Sequence, residues 1–206
     1  MSKIVLHGVA ASRAFRVMWM LKELNLPFEH NAIHYTDPAL KAPPYTDKNP
    51  NGRIPILEVD GFAMFESLAI TQYLAEKFGG SMAGANAEER GAIAQWTLWA
   101  ATSVETDLGN WAYHTMFLPE AERKPEIAKQ SLENVQKPFK ILDGVLAKRA
   151  HLVGDRFTVA DLNVAAVCYR ALQLELADTP HLKAWVAKCW SRPAAIEARR
   201  ARGDKV

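Results

Sequence analysis

Hydroxyl and basic side chains near the start of the chain could stabilise a bound anion. Ser12 follows a short apolar run and precedes a helical pattern, and Arg16 lies four residues after it. A serine hydroxyl beside a helix N-terminus offers a hydrogen bond to an anion, and the free backbone N–H groups add positive potential. The ordinary role of such a serine is to cap the helix. The residue pattern by itself leaves capping and anion binding open as alternatives for Ser12.

Two later segments have the chemistry to bind the ends of a small, extended ligand. In the N-P-N-G-R-I-P run that ends at Pro55, a cis Ile54–Pro55 bond would expose the backbone N–H and C=O of Ile54. Ser67 directly follows Glu66 and begins a helical pattern, so its hydroxyl and the first N–H groups can hold a carboxylate. Open α/β sheets bind ligands at the carboxyl ends of their strands, where we expect these segments and Ser12 to meet.

The first third of the chain alternates strand and helix patterns. Short apolar runs predict strands, apolar residues at spacings of three and four predict helices, and the Asp60-Gly61 pair predicts a hairpin turn. The order is a βαβ unit, with its two strands parallel, followed by a ββα unit. The predicted strands cover about 3–7, 28–33, 56–59 and 62–65, the helices about 14–24 and 67–78, and a long loop 34–53.

A glycine-rich linker separates this α/β region from a second part that has only helical patterns. Gly79, Gly80 and Gly84 lie in that linker. The sequence therefore predicts one domain over residues 1–79 and an all-helical domain over residues 86–206. The predicted helices of the second part cover about 88–117 and 125–148, with shorter ones that begin at Thr158, His181 and Pro193.

Composition and charge exclude several classes of protein. The chain has 206 residues, of which 49% are hydrophobic, and this balance argues against disorder. Its 25 basic and 23 acidic residues are too evenly matched for a protein whose main task is to bind nucleic acid. Cys168 and Cys189 form no C-x-x-C pattern, so we predict buried cysteines and no metal site. No leader pattern or membrane-spanning stretch is present, which predicts a cytoplasmic location and no membrane partner.

Three motifs, taken together, resemble the cytosolic glutathione transferases over essentially the whole chain. The first is N-P-x-G-x-I-P-x-L from Asn49, the second is E-S-x-A-I-x-x-Y-L from Glu66, and the third is G-D-x-F-T-x-A-D from Gly154. The resemblance implies a thioredoxin-like N-terminal domain that binds glutathione and an all-helical C-terminal domain that forms the second-substrate pocket. It also implies a homodimer that uses glutathione as co-substrate and has no cofactor.

The same resemblance assigns glutathione-binding roles to single residues. It implies that Pro55 is cis, that the Ile54 backbone pairs with the cysteinyl unit, and that Glu66 and Ser67 take the γ-glutamyl amine and carboxylate. Lys41 matches a plant-type lysine for the glycyl carboxylate, although Leu40 replaces a common histidine beside it. Arg53, in place of a usual lysine or glutamine, either reaches the same carboxylate or is a solvent-exposed charge. The full predicted set is Lys41, Arg53, Ile54, Pro55, Glu66 and Ser67.

The catalytic residue separates the classes of this family. No tyrosine lies in residues 5–8, and no cysteine lies in residues 9–13. Ser12 with Arg16 is therefore most similar to serine-type, theta-like and related bacterial members, and Ser12 is the predicted catalytic residue. An alignment fixed on Arg16 as in phi-type members would instead put Ala11 at the position of the serine.

The resemblance further implies conjugation of glutathione to small hydrophobic electrophiles, with a glutathione-dependent peroxidase activity as a second reaction. Trp111 and His114 are the candidate residues of the second-substrate pocket, and Asp107 is either a surface carboxylate or a group that acts across a dimer. A glutathione-binding or scaffolding protein without turnover is the alternative function. A disulfide or dehydroascorbate reductase is a third, and the lack of a cysteine near Ser12 argues against it.

Overall fold

The computed structural model describes residues 2–206, which form two compact units. One unit contains the chain up to Ala83 together with Ser191–Val206, and the other is Gly84–Trp190. The predicted second domain ran to residue 206, whereas the contacts group the last helix with the first unit. That grouping is explained by the packing of this last helix, described below.

The first unit is built on a four-stranded mixed sheet. β1 and β2 are parallel, and β3 pairs antiparallel with both β1 and β4, so the strand order is β2-β1-β3-β4. This agrees with the predicted βαβ and ββα units and confirms the thioredoxin-like fold class. The strands are β1 (Ile4–His7), β2 (Glu29–Asn31), β3 (Ile56–Val59) and β4 (Phe62–Phe65), and the helices are α1 (Ala14–Glu23), α2 (Tyr45–Lys48) and α3 (Ser67–Phe78).

The edge strand and the long loop differ from the sequence prediction. β2 is three residues long rather than six, because it lies at the sheet edge and pairs with β1 at only three positions, all of them exposed on β2. The predicted loop over 34–53 contains the 3₁₀ turn Pro38–Lys41 as well as α2. The core of this unit lies between the sheet and the helices, where Leu6, Trp19 and Ile70 are fully buried.

The last helix, α9 (Pro193–Arg202), packs against α1. Lys22 of α1 pairs with Glu197 at 2.7 Å, and the Arg202 guanidinium lies 4.9 Å from the ring centroid of Phe15. Glu23 at the end of α1 accepts two hydrogen bonds from Arg192, each 2.7 Å long. These contacts place the chain terminus in the first unit.

The second unit contains only helices among its described residues. The predicted single helix over 88–117 is wrong, because the backbone leaves the helical region at Val104 (φ −129°, ψ −44°). A wider π-helical turn follows over Tyr113–Phe117, where Leu118 N–H donates to the carbonyl of Tyr113. The helices are α4 (Ala87–Ser103), α5 (Glu105–Ala112), α6 (Pro125–Leu146), α7 (Val159–Val167) and α8 (Pro180–Trp190).

A capping box fixes the start of α7 inside the helical unit. The buried Asp161 carboxylate accepts the N–H of Thr158 at 3.0 Å and the N–H of Leu152 at 2.9 Å. Burial raises the pKa of Asp161, and these backbone hydrogen bonds oppose that effect. Cys168 and Cys189 are buried, as predicted. Within residues 2–206, no helix is long and apolar enough to cross a membrane.

Candidate active site

The three predicted segments meet at one edge of the sheet. His7, the last residue of β1, pairs with Ile56, the first residue of β3, and Ile56 pairs in turn with Phe65 at the end of β4. In the chain, Pro55 directly precedes Ile56, and Glu66 directly follows Phe65. The strand register therefore brings the turn after β1, the loop before β3 and the start of α3 side by side.

Local hydrogen bonds fix Ser12 at the start of α1. Its N–H and its hydroxyl both donate to the carbonyl of Val9, at 3.0 and 2.7 Å, and its oxygen accepts the N–H of Ala14 at 3.2 Å. The backbone cap of α1 is Arg13 rather than Ser12, although the serine oxygen still binds one of the free N–H groups. Ser12 is half-buried. A ligand anion that accepts a hydrogen bond from the Ser12 hydroxyl must therefore compete with the Val9 carbonyl.

The backbone conformation of residue 8 favours glycine, and Ile54 leaves little room for a side chain there. Gly8 has φ +127°, and a Cβ atom built there would lie 3.0 Å from both Cβ and Cδ1 of Ile54. The backbone of Gly8 is held by Asn31, whose carbonyl accepts its N–H at 2.8 Å. The Ile54–Pro55 bond is cis, as the resemblance implied. Ser12 and Ile54 thus belong to two segments that are in direct contact.

A buried asparagine organises the loop before β3. Asn49 donates from Nδ2 to the carbonyl of Arg53 at 2.7 Å, and its Oδ1 accepts the N–H of Asn51 at 3.1 Å. Its own carbonyl accepts the N–H of Gly52 at 2.9 Å. The sequence analysis used Asn49 only as part of a motif and did not assign it a role. Its signal is the asparagine ahead of the Pro-x-Gly turn, a residue type that bonds to backbone groups two residues on.

Lys41, at the end of the 3₁₀ turn before α2, reaches across to the loop that Asn49 organises. The Lys41 ammonium donates to the carbonyl of Gly52 at 2.9 Å and to that of Asn51 at 3.3 Å. A Cβ at Gly52 would lie 2.7 Å from the carbonyl oxygen of Leu40, so glycine permits this close approach. Lys41 and Arg53 are both exposed. The Lys41 ammonium therefore lies against the segment that leads into Arg53, and both side chains are cations of the kind that bind carboxylates.

A buried arginine places a positive charge next to the start of α3. Ser67 is 4% exposed and Arg16 is 5% exposed, and Arg16 Nη1 donates to Ser67 Oγ at 3.3 Å. Glu66 precedes the helix in a positive-φ conformation (φ 70°, ψ 104°) and is exposed. The guanidinium and the free N–H groups of α3 both favour a negative charge at this point.

In the helical unit, Trp111 and His114 lie on and just after α5, and both are half-buried. His114 Nδ1 accepts the N–H of Lys124 at 3.2 Å. The π-helical turn, a feature that often marks functional sites, exposes Tyr113 and Phe117 to 57% and 56%. The Arg170 guanidinium lies 4.7 Å from the Phe117 ring centroid. From this aromatic run the sequence predicted roles for Trp111 and His114 and none for Tyr113 or Phe117, since aromatic side chains at helical spacing are usually buried in a core.

Asp107 accepts a hydrogen bond from Asn134 of α6 at 3.0 Å, so its described partner lies within the helical unit. In residues 2–206 there is no group of three or more His, Cys, Asp or Glu side chains arranged to hold a metal ion.

A thioredoxin-like sheet domain with a cis-proline loop, together with a helical second unit, is the architecture that the sequence motifs implied. Two family models match the chain: "Glutathione S-transferase, N-terminal domain" over residues 1–76, and "Glutathione S-transferase, C-terminal domain" over residues 108–193. A glutathione S-transferase of Hyoscyamus muticus is 31% identical over 204 residues, covering 94% of this chain and 96% of the relative.

Solved structures agree with this match. Glutathione transferase F7 from Populus trichocarpa has a TM-score of 0.87 and 30% identity, covering 97% of this chain and 99% of the other. Ure2p5 from Phanerochaete chrysosporium, cocrystallized with 1-(S-glutathionyl)-2,4-dinitrobenzene, has a TM-score of 0.86 and 25% identity, covering 98% and 96%. The chain belongs to the glutathione S-transferase family. It is an enzyme of that family, with glutathione as its co-substrate.

Proposed function

We propose that the chain is a serine-type glutathione transferase in which the Ser12 hydroxyl stabilises the thiolate of bound glutathione. The observation that carries this proposal is the fixed position of Ser12 at the mouth of α1, in the segment that contacts Ile54 through Gly8. The spacing of Ser12 and Arg16 favours a theta-like or related bacterial member, whereas a phi-like alignment would put Ala11 at the position of the serine.

The required energy is within reach of one hydroxyl. A free thiol has a pKa of about 8.5, and lowering that pKa by two units needs about 2.7 kcal/mol of preference for the anion. A hydrogen bond to a charged group contributes about 1.5–3 kcal/mol, and a helix N-terminus adds roughly 0.3–1 kcal/mol. The hydroxyl would leave the Val9 carbonyl for the thiolate, exchanging a neutral hydrogen bond for a stronger charge-assisted one.

The remaining residues bind the ends of the tripeptide. The Ile54 backbone, beside Pro55, pairs with the cysteinyl unit, and Glu66 and Ser67 take the γ-glutamyl amine and carboxylate. Lys41 binds the glycyl carboxylate, and Arg53 is the second candidate for that contact. The Lys41 ammonium against the carbonyls of Asn51 and Gly52, and the buried Arg16 beside Ser67, support these assignments, since carboxylates are expected at both ends of the tripeptide.

The second substrate is a small hydrophobic electrophile, with peroxide reduction as a second reaction. Trp111 and His114 are candidates for its pocket, and the exposed rings of Tyr113 and Phe117 supply further apolar surface in the same turn. A homodimer is part of the proposal as well. This part of the proposal rests on the family match. The cytoplasmic location stays a prediction.

Turnover of a chlorodinitrobenzene by wild type, Ser12→Ala and the control Ser103→Ala tests the proposal. We expect Ser12→Ala to lower kcat by roughly one to two orders of magnitude, since a lost transition-state interaction lowers kcat and kcat/KM together. The affinity for glutathione should change little. Equal rates for all three proteins would remove Ser12 from the mechanism. Retention on immobilised glutathione without turnover would instead favour a binding or scaffolding protein.

A further inference from the structure

The side chain of Glu58 on β3 contacts both β1 and α2. One carboxylate oxygen of Glu58 lies 2.7 Å from Nε2 of His7 on β1 and 2.7 Å from the ammonium of Lys48 at the end of α2. The side chains are 22%, 8% and 25% exposed for Glu58, His7 and Lys48. This group of three is neither a metal cluster nor part of the predicted glutathione site, so its role needs a separate account.

The carboxylate of Glu58 is held in its charged form. Partial burial raises the pKa of Glu58, but hydrogen bonds from Lys48 and His7 more than offset that effect, so the net pKa lies below the ordinary value. A charge removed from water is stable only when it is paired. The pairing therefore fixes Lys48 to the sheet more firmly than an exposed ion pair would.

α2 depends on such anchors because it is only four residues long. Helices of fewer than about 12–15 residues are marginal without packing. At its first residue, the hydroxyl of Tyr45 accepts a hydrogen bond from Asn31 at 3.0 Å, and the Tyr45 ring meets His7 edge-on at 5.7 Å. At its last residue, Lys48 reaches Glu58. Both ends of α2 are thus attached to the sheet through side chains around His7.

The end of α2 determines the geometry of the predicted glycyl end of the site. Asn49 directly follows Lys48, and its N–H donates to the carbonyl of Tyr45 at 2.8 Å. Asn49 in turn donates to the carbonyl of Arg53. The carbonyls of Asn51 and Gly52, between these two residues, accept hydrogen bonds from the Lys41 ammonium. A chain of direct bonds therefore runs from Glu58 through α2 to Lys41.

We propose that Glu58 is a positioning residue for glutathione, which acts through Lys48 and α2 to hold Lys41 and the 49–53 loop in the arrangement that binds the glycyl carboxylate. This inference rests on the proposed role of Lys41. It assigns Glu58 an effect on the affinity for the glycyl end of the tripeptide. Through Lys48 it assigns no effect on the chemistry at Ser12. Because Glu58 also contacts His7, which precedes the turn with Ser12, Lys48→Gln isolates the route through α2.

The test compares glutathione with γ-glutamylcysteine, which lacks the glycyl unit, as the thiol substrate of the full-length enzyme. For Glu58→Gln we expect KM for glutathione to rise about fivefold. That change corresponds to about 1 kcal/mol, the difference in free energy between a charged and a neutral hydrogen bond. The value of kcat and the KM for γ-glutamylcysteine should stay within about twofold of wild type. Glu29→Gln removes an exposed strand carboxylate that lies 3.8 Å from Lys3, and it is the matched control.

Lys48→Gln breaks the same link from α2 and supplies a second variant in case Glu58→Gln does not fold. It should reproduce the selective effect, and the double variant should be no worse than the worse single variant. Equal increases in KM for both thiols, or no increase for either, would overturn the inference. If wild type binds neither thiol, the proposed function itself is overturned. If wild type turns over glutathione and both variants have the same KM for it, only the role of Glu58 is overturned.

Discussion

Arg16 Nη1 donates a hydrogen bond to Ser67 Oγ across 3.3 Å of buried space, joining the first turns of α1 and α3. The two residues are 51 positions apart in the chain. Because the guanidinium stays charged, it adds a fixed positive charge below the free N–H groups of α3. The serine that is proposed to hold the γ-glutamyl carboxylate is therefore supported by a cation from α1, the helix that follows Ser12.

We predict that Arg16→Met weakens glutathione binding at its γ-glutamyl end. Hydrogen bonds to charged groups contribute about 1.5–3 kcal/mol, so the dissociation constant for S-methylglutathione should rise roughly tenfold or more. Calorimetric titration measures this directly. Arg13→Met replaces an exposed arginine of the preceding turn, and it should bind within about twofold of wild type. Equal binding by both variants would show that the Arg16–Ser67 contact has no part in binding.

Gly8 and Gly61 allow the strain of a positive φ to be separated from the contact with Ile54. Gly8→Ala and Gly61→Ala both force alanine into positive φ, at +127° and +87°, for about 1–3 kcal/mol of lost unfolding free energy. Only at Gly8 does the added Cβ press on Ile54, which should cost about 1–3 kcal/mol more. Denaturant unfolding measures both losses. We further expect only Gly8→Ala to weaken glutathione binding, and a loss of binding in Gly61→Ala would contradict this.

The pair formed by Glu23 and Arg192 should stabilise the first unit. The Glu23 side chain is 8% exposed, and it also accepts the indole N–H of Trp19 at 2.9 Å. Removing one partner of a fully buried pair costs about 3–5 kcal/mol, and because Arg192 is 36% exposed we expect about 1–2 kcal/mol for Arg192→Met. Arg200→Met on the exposed side of α9 is the control, with an expected change under about 0.5 kcal/mol. Identical denaturant midpoints for the two variants would refute the role of this pair.

Glu89 and Arg156 give the helical unit a pH-dependent stability. Hydrogen bonds from Arg156 lower the pKa of Glu89 to about 2, from an ordinary value of 4.5. A carboxylate with a lowered folded-state pKa adds stability above its unfolded pKa and loses it as the pH falls towards the folded value. Glu89→Gln should therefore be less stable than wild type at pH 6, and the difference should shrink between about pH 4.5 and 2. A difference that is constant across this range would contradict the assignment.

Much of the first unit follows from local sequence signals. The runs of β1, β3 and β4, the Asp60-Gly61 turn and the helix that begins at Ser67 are encoded by residues close together in the chain, and the structure has them where they were predicted. The edge strand β2 is shorter than predicted. The cis Ile54–Pro55 bond, by contrast, came from the resemblance of the whole motif and not from the proline itself. Family membership was predictable for the same reason, since three spaced motifs specify more than one.

The remaining features depend on contacts between distant residues. The pairing of Arg192 with Glu23 joins positions 169 apart, so the placement of α9 on α1 has no local signal. The break at Val104 and the π-helical turn lie within a continuous helical pattern in the sequence. The spacing of apolar residues does not reveal them, because it does not specify which carbonyl accepts each backbone N–H. The hydrogen bond from Ser12 to Val9 is equally invisible in the sequence, because it depends on the conformation of a single turn.

The ultraviolet absorbance of the thiolate of bound glutathione, measured against pH, tests the central role of Ser12 most directly. In wild type we expect the bound thiol to titrate near pH 6.5, about two units below a free thiol. In Ser12→Ala this pKa should rise by at least one unit, while Ser103→Ala matches wild type. The same titration midpoint in wild type and Ser12→Ala, with glutathione bound in both, would contradict the account.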